Sequence, residues 1–107
     1  MKLAENEPIE GKAIIENALG FTYAAQKDFK KAIKYYKFAI NSLPDYTIAL
    51  NNLGSAQQKL FDYAEAYSTY KKVLEIDPKN KTALKKSKEL EERTNYKPFT
   101  EAKTKGF

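Results

Sequence analysis

An offset of 34 residues organises this chain. Gly20 and Gly54 stand that far apart, as do Leu19 and Leu53, Asn17 and Asn51, and Ile14 and Ile48. The same offset links Asp28 to Asp62, Phe29 to Tyr63, Ala32 to Ala66, Tyr36 to Tyr70, Lys37 to Lys71 and Pro44 to Pro78. A fixed period in this range marks stacked supersecondary units, each unable to bury its apolar face alone. The two copies span 13–46 and 47–80.

Each copy reads as a pair of helices. In the second, Ile48, Ala49, Leu50, Leu53 and Ala56 recur at helical spacing after Pro44 and Asp45. Asp62 and Glu65 form an acidic capping box, a side-chain acceptor for orphan N–H groups with a Glu reaching back, and they open a second helix. Tyr63, Ala66, Tyr67, Tyr70, Val73 and Leu74 make its apolar stripe, and Pro78 ends it. The first copy runs from Asp28 through Phe29, Ala32, Ile33, Tyr36, Ala39 and Ile40 to Pro44. Lys31 stands where the capping Glu should, so the Asp28 cap is expected to be the weaker. A glycine inside a helix costs roughly 1 kcal/mol relative to Ala. Gly54 therefore needs a reason, and the pattern supplies one: a larger side chain there would meet an aromatic such as Tyr70. Gly20, Ala32 and Ala66 are small on the same grounds.

This hairpin resembles the tetratricopeptide repeat (TPR) family, whose pattern has Leu-Gly, an aromatic, Ala, an aromatic, Ala and Pro at fixed spacings. The first copy carries Leu19, Gly20, Tyr23, Ala32, Tyr36, Ala39 and Pro44, with Glu16 in place of a large residue. The second carries Leu53, Gly54, Ala66, Tyr70 and Pro78, with Leu50 in the large-residue slot, Gln57 for the first aromatic and Val73 for the second Ala. Lys27 and Phe61 replace the turn glycine common in the family. The resemblance implies an all-α fold, a right-handed superhelix of two TPR helical hairpins plus a C-terminal capping helix. That helix is expected over 81–95, with Ala83, Leu84, Ser87 and Leu90 as a thin apolar stripe and Lys, Glu and Arg around it. Residues 1–12 read as a polar segment and 96–107 as an irregular tail anchored only by Tyr96 and Phe99. The N-terminal edge has no comparable cap, and two repeats are fewer than the roughly three such arrays need. That edge calls for an upstream segment, a partner, or self-association.

Composition narrows the function. The chain has no Cys and no His, which removes disulfides, cysteine-based zinc and redox sites, and the commonest general base and metal ligand. No enzyme, cofactor or metal site is expected. Glu89, Glu91 and Glu92 read as a solvated charge run on the cap helix, not as an acid–base pair. No run reaches the about 18 apolar residues of a spanning helix, and the first dozen residues lack the features of a signal or transit peptide. An intracellular, soluble protein is expected. The net charge of +5 is a mild basic excess.

In the family the first helices of the hairpins line a concave groove. The resemblance carries this role onto Asn17, Phe21, Asn51, Asn52, Ser55, Lys59, Lys85 and Lys86, beside Ile14, Ala18, Ala25, Ile48, Thr82 and Glu89. An Asn can donate to and accept from an extended peptide backbone at once. One family subset clamps a C-terminal carboxylate. Asn52 and Lys86 match that clamp, while Asn17, Phe21 and Thr82 depart from it, so chaperone-tail binding is not expected. A second candidate surface is the outer helix of the first repeat. There Lys30, Lys34 and Lys37, with Tyr35 and Phe38 among them, read as a contact face for an acidic protein, RNA or an anionic membrane surface. No nucleic-acid motif accompanies these lysines. Tyr35 and Phe38 lie off the core stripe and are expected to be exposed. Finally, TIALNNLG and the stretch from Phe61 to Lys97, ending in Arg93-x-x-x-Tyr96-Lys97, resemble the C-terminal repeats of plastid and cyanobacterial TPR proteins that assist photosystem I assembly. The likeness implies a scaffold or assembly factor in the chloroplast stroma at the thylakoid surface, with photosystem I subunits as partners.

Overall fold

A computed structural model describes residues 9–94. Five α-helices follow one another: α1 (Ile9–Ala25), α2 (Phe29–Ser42), α3 (Thr47–Lys59), α4 (Tyr63–Ile76) and α5 (Lys81–Thr94). The tail expected over 96–107, with Tyr96 and Phe99, lies outside the described residues, as do the start of the polar segment and the end of the Arg93 to Lys97 motif. α1 begins upstream of Ala13, at Ile9. No helix among the described residues is long and apolar enough to cross a membrane.

Local chemistry explains where the helices stop. Leu43 and Asp77 each precede a proline, which pushes its predecessor out of the helical region. Both adopt extended ψ values near 90° and cap their helices through N–H bonds to Ala39 O and Val73 O. The two hairpin turns end their first helices differently. Asp28 N–H donates to Tyr23 O and Lys27 N–H to Ala24 O; Asp62 N–H donates to Gln57 O and Phe61 N–H to Gln58 O. This is the Schellman pattern, which needs a left-handed residue past the helix end. Lys27 and Phe61 take it, at φ 66° and 65°. The missing glycines therefore do not change the turn; two ordinary residues accept backbone strain of about 1 kcal/mol each.

One capping expectation is reversed. Asp28 Oδ1 accepts from Lys31 N–H at 3.2 Å, whereas Asp62 makes no side-chain cap bond despite its Glu65 partner. The cap that matters most for α5 is Asn80, whose Oδ1 accepts from Ala83 N–H at 3.0 Å.

The core forms where helices of successive hairpins meet. Leu50, Ala66, Tyr67, Tyr70, Val73, Ala83 and Leu90 join α3, α4 and α5. Ala32, Tyr36, Leu53 and Ala56 join α2 to α3, and Ala13, Ala39 and Ala49 tie α1 into the same seam. Ile40 packs against all three groups. Each large side chain here contributes about 1.5–3 kcal/mol. The glycines make that packing possible. A Cβ on Gly54 would lie 2.7 Å from Tyr70 Cζ and 2.9 Å from two more ring atoms; one on Gly20 would lie 2.6 Å from Tyr36 Cδ1 and Cε1. Leu84 departs from its expected place in the cap stripe: it is exposed, and Ala83, Ser87 and Leu90 alone carry that face.

Candidate functional site

α1, α3 and α5, the first helices of successive units, are tied together by asparagines. Asn52 Nδ2 donates to Asn17 Oδ1 at 3.0 Å, linking α3 to α1. Asn51 Nδ2 donates to Asn80 Oδ1 at 3.2 Å, linking α3 to the cap of α5. Asn51 Oδ1 is buried and has no partner. The three candidate asparagines are thus spacers between helices, each with part of its amide already used. Around them, on positions one helical turn apart, Ile14 and Phe21 of α1 and Ile48 of α3 are exposed apolar residues.

Further along, Ser55, Lys59 and Lys86 come together in a concavity of about 440 Å³ that Gln58, Phe61, Tyr63, Glu89 and Arg93 also line. Lys86 Nζ pairs with Glu89 at 3.8 Å; Lys59 and Arg93 are further cations of the lining, with no ion pair among the described residues. Phe61 is 76% exposed at the rim and meets Tyr63 edge to face, with 6.2 Å between centroids. Below it, Tyr70 Oη donates to Gln58 Oε1 at 3.2 Å, so the ring that fits under Gly54 also positions a lining residue. Burial, reinforced by the Glu89 carboxylate, pushes the Tyr70 phenol up to about 12. Tyr36, its counterpart in the first repeat, is raised by burial as well.

Not every candidate joins this surface. Lys85 is exposed but does not line the concavity. Glu91 is no part of a free charge run: it accepts from Tyr67 Oη at 2.6 Å and fastens α5 to α4. On the outer helix, Lys30, Lys34, Lys37 and Phe38 are exposed, but Tyr35 is half-buried, correcting the expectation that it stands free. Its ring stacks on Tyr23 at 5.4 Å and takes Phe38 edge-on at 5.6 Å. Phe61, Tyr63, Gln58, Arg93 and Asn80 are lining or supporting residues that sequence reasoning passed over. Asn80 was legible as a cap residue directly before α5; Phe61 was legible only as a bulky residue in a turn slot.

The fold and the site together define a helical-repeat scaffold with a lined hollow. The tetratricopeptide repeat family model matches residues 11–79. The ycf37 protein of Cyanophora paradoxa is 36% identical over 88 residues, 80% of this chain and 51% of its own length. The chloroplastic tetratricopeptide repeat domain-containing protein PYG7 of Arabidopsis thaliana is 34% identical over 94 residues, 87% of this chain and 31% of that protein. Among solved structures, the first TPR of Spaghetti (RPAP3), bound to an HSP90 peptide SRMEEVD, superposes with a TM-score of 0.75 at 23% identity, covering 86% of this chain and 73% of that one. The chain belongs to the tetratricopeptide repeat family and spans about half or less of the length of these curated relatives.

Proposed function

We propose that the chain is a non-catalytic protein-interaction module that holds an extended segment of a partner along α1, α3 and α5 during assembly of a larger complex. The observation that carries this reading is the alignment on those helices of exposed Ile14, Phe21 and Ile48 with the basic concavity at Ser55, Lys59 and Lys86. The exposed apolar side chains offer contact to apolar groups of a partner, while the cations and the remaining amide valences of Asn17 and Asn52 favour peptide backbone and acidic groups. The peptide bound by the structural neighbour supports a peptide ligand in general. The incomplete carboxylate clamp argues for a different one here.

Within that class, the partner we propose is a photosystem I subunit, met in the chloroplast stroma at the thylakoid surface. Support comes from the likeness of the second repeat and α5 to photosystem I assembly proteins, and from the similarity to the chloroplastic protein of Arabidopsis. The test is capture of detergent-solubilised photosystem I subunits on the immobilised chain, wild type beside Phe21→Ala/Lys59→Ala, both residues being exposed. Retention by wild type and at least tenfold loss in the variant is the expected result. Equal retention by both would reject the groove, and no retention by either would reject the photosystem partner. An electrostatic alternative, RNA or anionic membrane on Lys30, Lys34 and Lys37, predicts binding that collapses between low and moderate salt.

A further inference from the structure

The stacking of hairpins does not demand the lining of the concavity between α3 and α5. At an offset of 34 residues, Gln58, Lys59, Lys86 and Glu89 correspond to Ala24, Ala25, Asn52 and Ser55, and the first hairpin packs on α3 with those neutral residues. In the concavity, three cations, Lys59, Lys86 and Arg93, face one carboxylate, Glu89. Lys86 and Glu89 are a part-exposed pair at 3.8 Å, which in water holds neither partner firmly. Lys59 and Arg93 have no ion pair among the described residues. The carbonyls of Ala56, Gln57 and Gln58 at the end of α3 already accept from the N–H groups of Leu60, Phe61 and Asp62, so the charge this corner offers is that of its cations. These charges belong to the lining itself, and they select a carboxylate.

Phe61 supplies the second half of the selection. It is exposed and stands at φ 65°, a backbone region that favours glycine. The turn does not need a ring there, since Lys27 makes the same turn at φ 66°. The core does not need it either, since Phe61 is in none of the three buried clusters and meets Tyr63 edge to face at the rim. A strained, exposed aromatic beside a charged hollow is suited to contact with another molecule. At about 440 Å³ the hollow has the size of sites that take a small molecule, room for two side chains. Side chains of an extended segment alternate in direction, so two that enter together are two residues apart, about 7 Å along the chain. We infer that this concavity is the specificity subsite for the partner segment: it takes an Asp or Glu side chain on Lys59 and Arg93 and, two residues away, a large apolar side chain on Phe61. The inference rests on the reading of the chain as a module that holds an extended peptide. Of the positions of the family's carboxylate clamp only Lys86 lies here, and Phe61 and Tyr63 stand outside the first helices, so the subsite reads side chains and not a chain end.

The probe is a phage-displayed library of random dodecapeptides, selected on the immobilised full chain; the most enriched peptide is then labelled and titrated by fluorescence anisotropy. The expected result is selection of Asp or Glu two positions from an aromatic or large aliphatic residue, in either order, by about tenfold or more over the unselected library. Changing that acid to its amide should weaken binding about tenfold or more in the wild type and far less in Arg93→Gln. Phe61→Gly, which keeps the turn, should weaken binding by a like factor, and Phe61→Tyr should recover the loss. Lys72→Gln removes an exposed cation of α4 outside the concavity and should bind like the wild type. Helical circular dichroism should be the same throughout. Binding that is lost with Phe21→Ala but indifferent to Phe61→Gly and Arg93→Gln would overturn the inference and leave the groove standing. Selected peptides that lack the spaced acidic and apolar pair would overturn it in the same way. If the wild type selects no peptide, the inference and the peptide-holding reading fall together.

Discussion

The two repeats share a motif and differ in what surrounds it. Leu19 and Leu53 occupy the same slot, yet one is 42% exposed and the other 6%. Leu50 is buried in the second repeat, while Glu16, at the same slot, accepts from Ser42 Oγ at 2.8 Å and pairs with Lys12 at 3.6 Å. Tyr23 and Tyr35 stack where Gln57 and Thr69 share a buried hydrogen bond of 2.7 Å. A repeat residue's energetic weight thus comes from its neighbours in the stack more than from its identity. The second repeat is covered on both sides by α2 and α5. Among the described residues, the first is covered on one.

The largest contrast should appear at the shared leucine. Leu53→Ala is expected to cost about 2–5 kcal/mol in denaturant unfolding, and Leu19→Ala less than about 1 kcal/mol. Equal losses would break the comparison. The paired tyrosines offer a pH test. A phenol that holds its proton more tightly in the folded state stabilises the fold below its unfolded value, here 10.0, and surrenders that stability as pH climbs toward about 12 for Tyr70. Stability should fall by about 2–3 kcal/mol from this group across that window. Tyr70→Phe should flatten the alkaline limb of the unfolding curve, and Tyr36→Phe should flatten it in the same direction. The caps sharpen the comparison in the opposite sense, because here the first repeat has the stronger device. Asp28→Ala is expected to cost about 1 kcal/mol and Asp62→Ala only a few tenths, read as shifts in chemical-denaturation midpoint. The smallest effect is at the turns. Lys27→Gly should stabilise by up to about 1 kcal/mol by relieving its positive φ, and Phe61→Gly by less, since it also loses the edge contact with Tyr63.

The repeat offset and the small-on-aromatic pairing make the all-α hairpin fold legible in the sequence. Both are pattern signals fixed by packing, and Gly54 against Tyr70 is the case in point. Side-chain caps were not legible in the same way. The motif at Asp62 and Glu65 promised a bond that the geometry does not make, while Asp28, without the motif, makes one. Motif spacing brings groups within reach, but rotamers then choose among competing partners. The candidate site was half legible. Ser55, Lys59 and Lys86, which the family resemblance makes groove positions, line one concavity. Asn51 was not recognisable as a strut to Asn80, because a contact 29 residues apart depends on how the cap helix settles. Tyr35 looked free because its position lies off the core stripe; its partner Tyr23 belongs to the neighbouring helix, which a one-helix pattern does not contain.

The central claim is that a missing side chain at Gly54 seats the ring of Tyr70 and thereby lets the hairpins stack. A double-mutant cycle in denaturant unfolding tests it most directly, with Gly54→Ala measured in the wild type and in a Tyr70→Leu background. The account predicts a sign reversal. In the wild type the new Cβ, under 3 Å from three ring atoms, should cost about 1–3 kcal/mol. In the background with the ring removed, the same change should be neutral or stabilise by up to about 1 kcal/mol through helix propensity. An equal penalty in both backgrounds would contradict it.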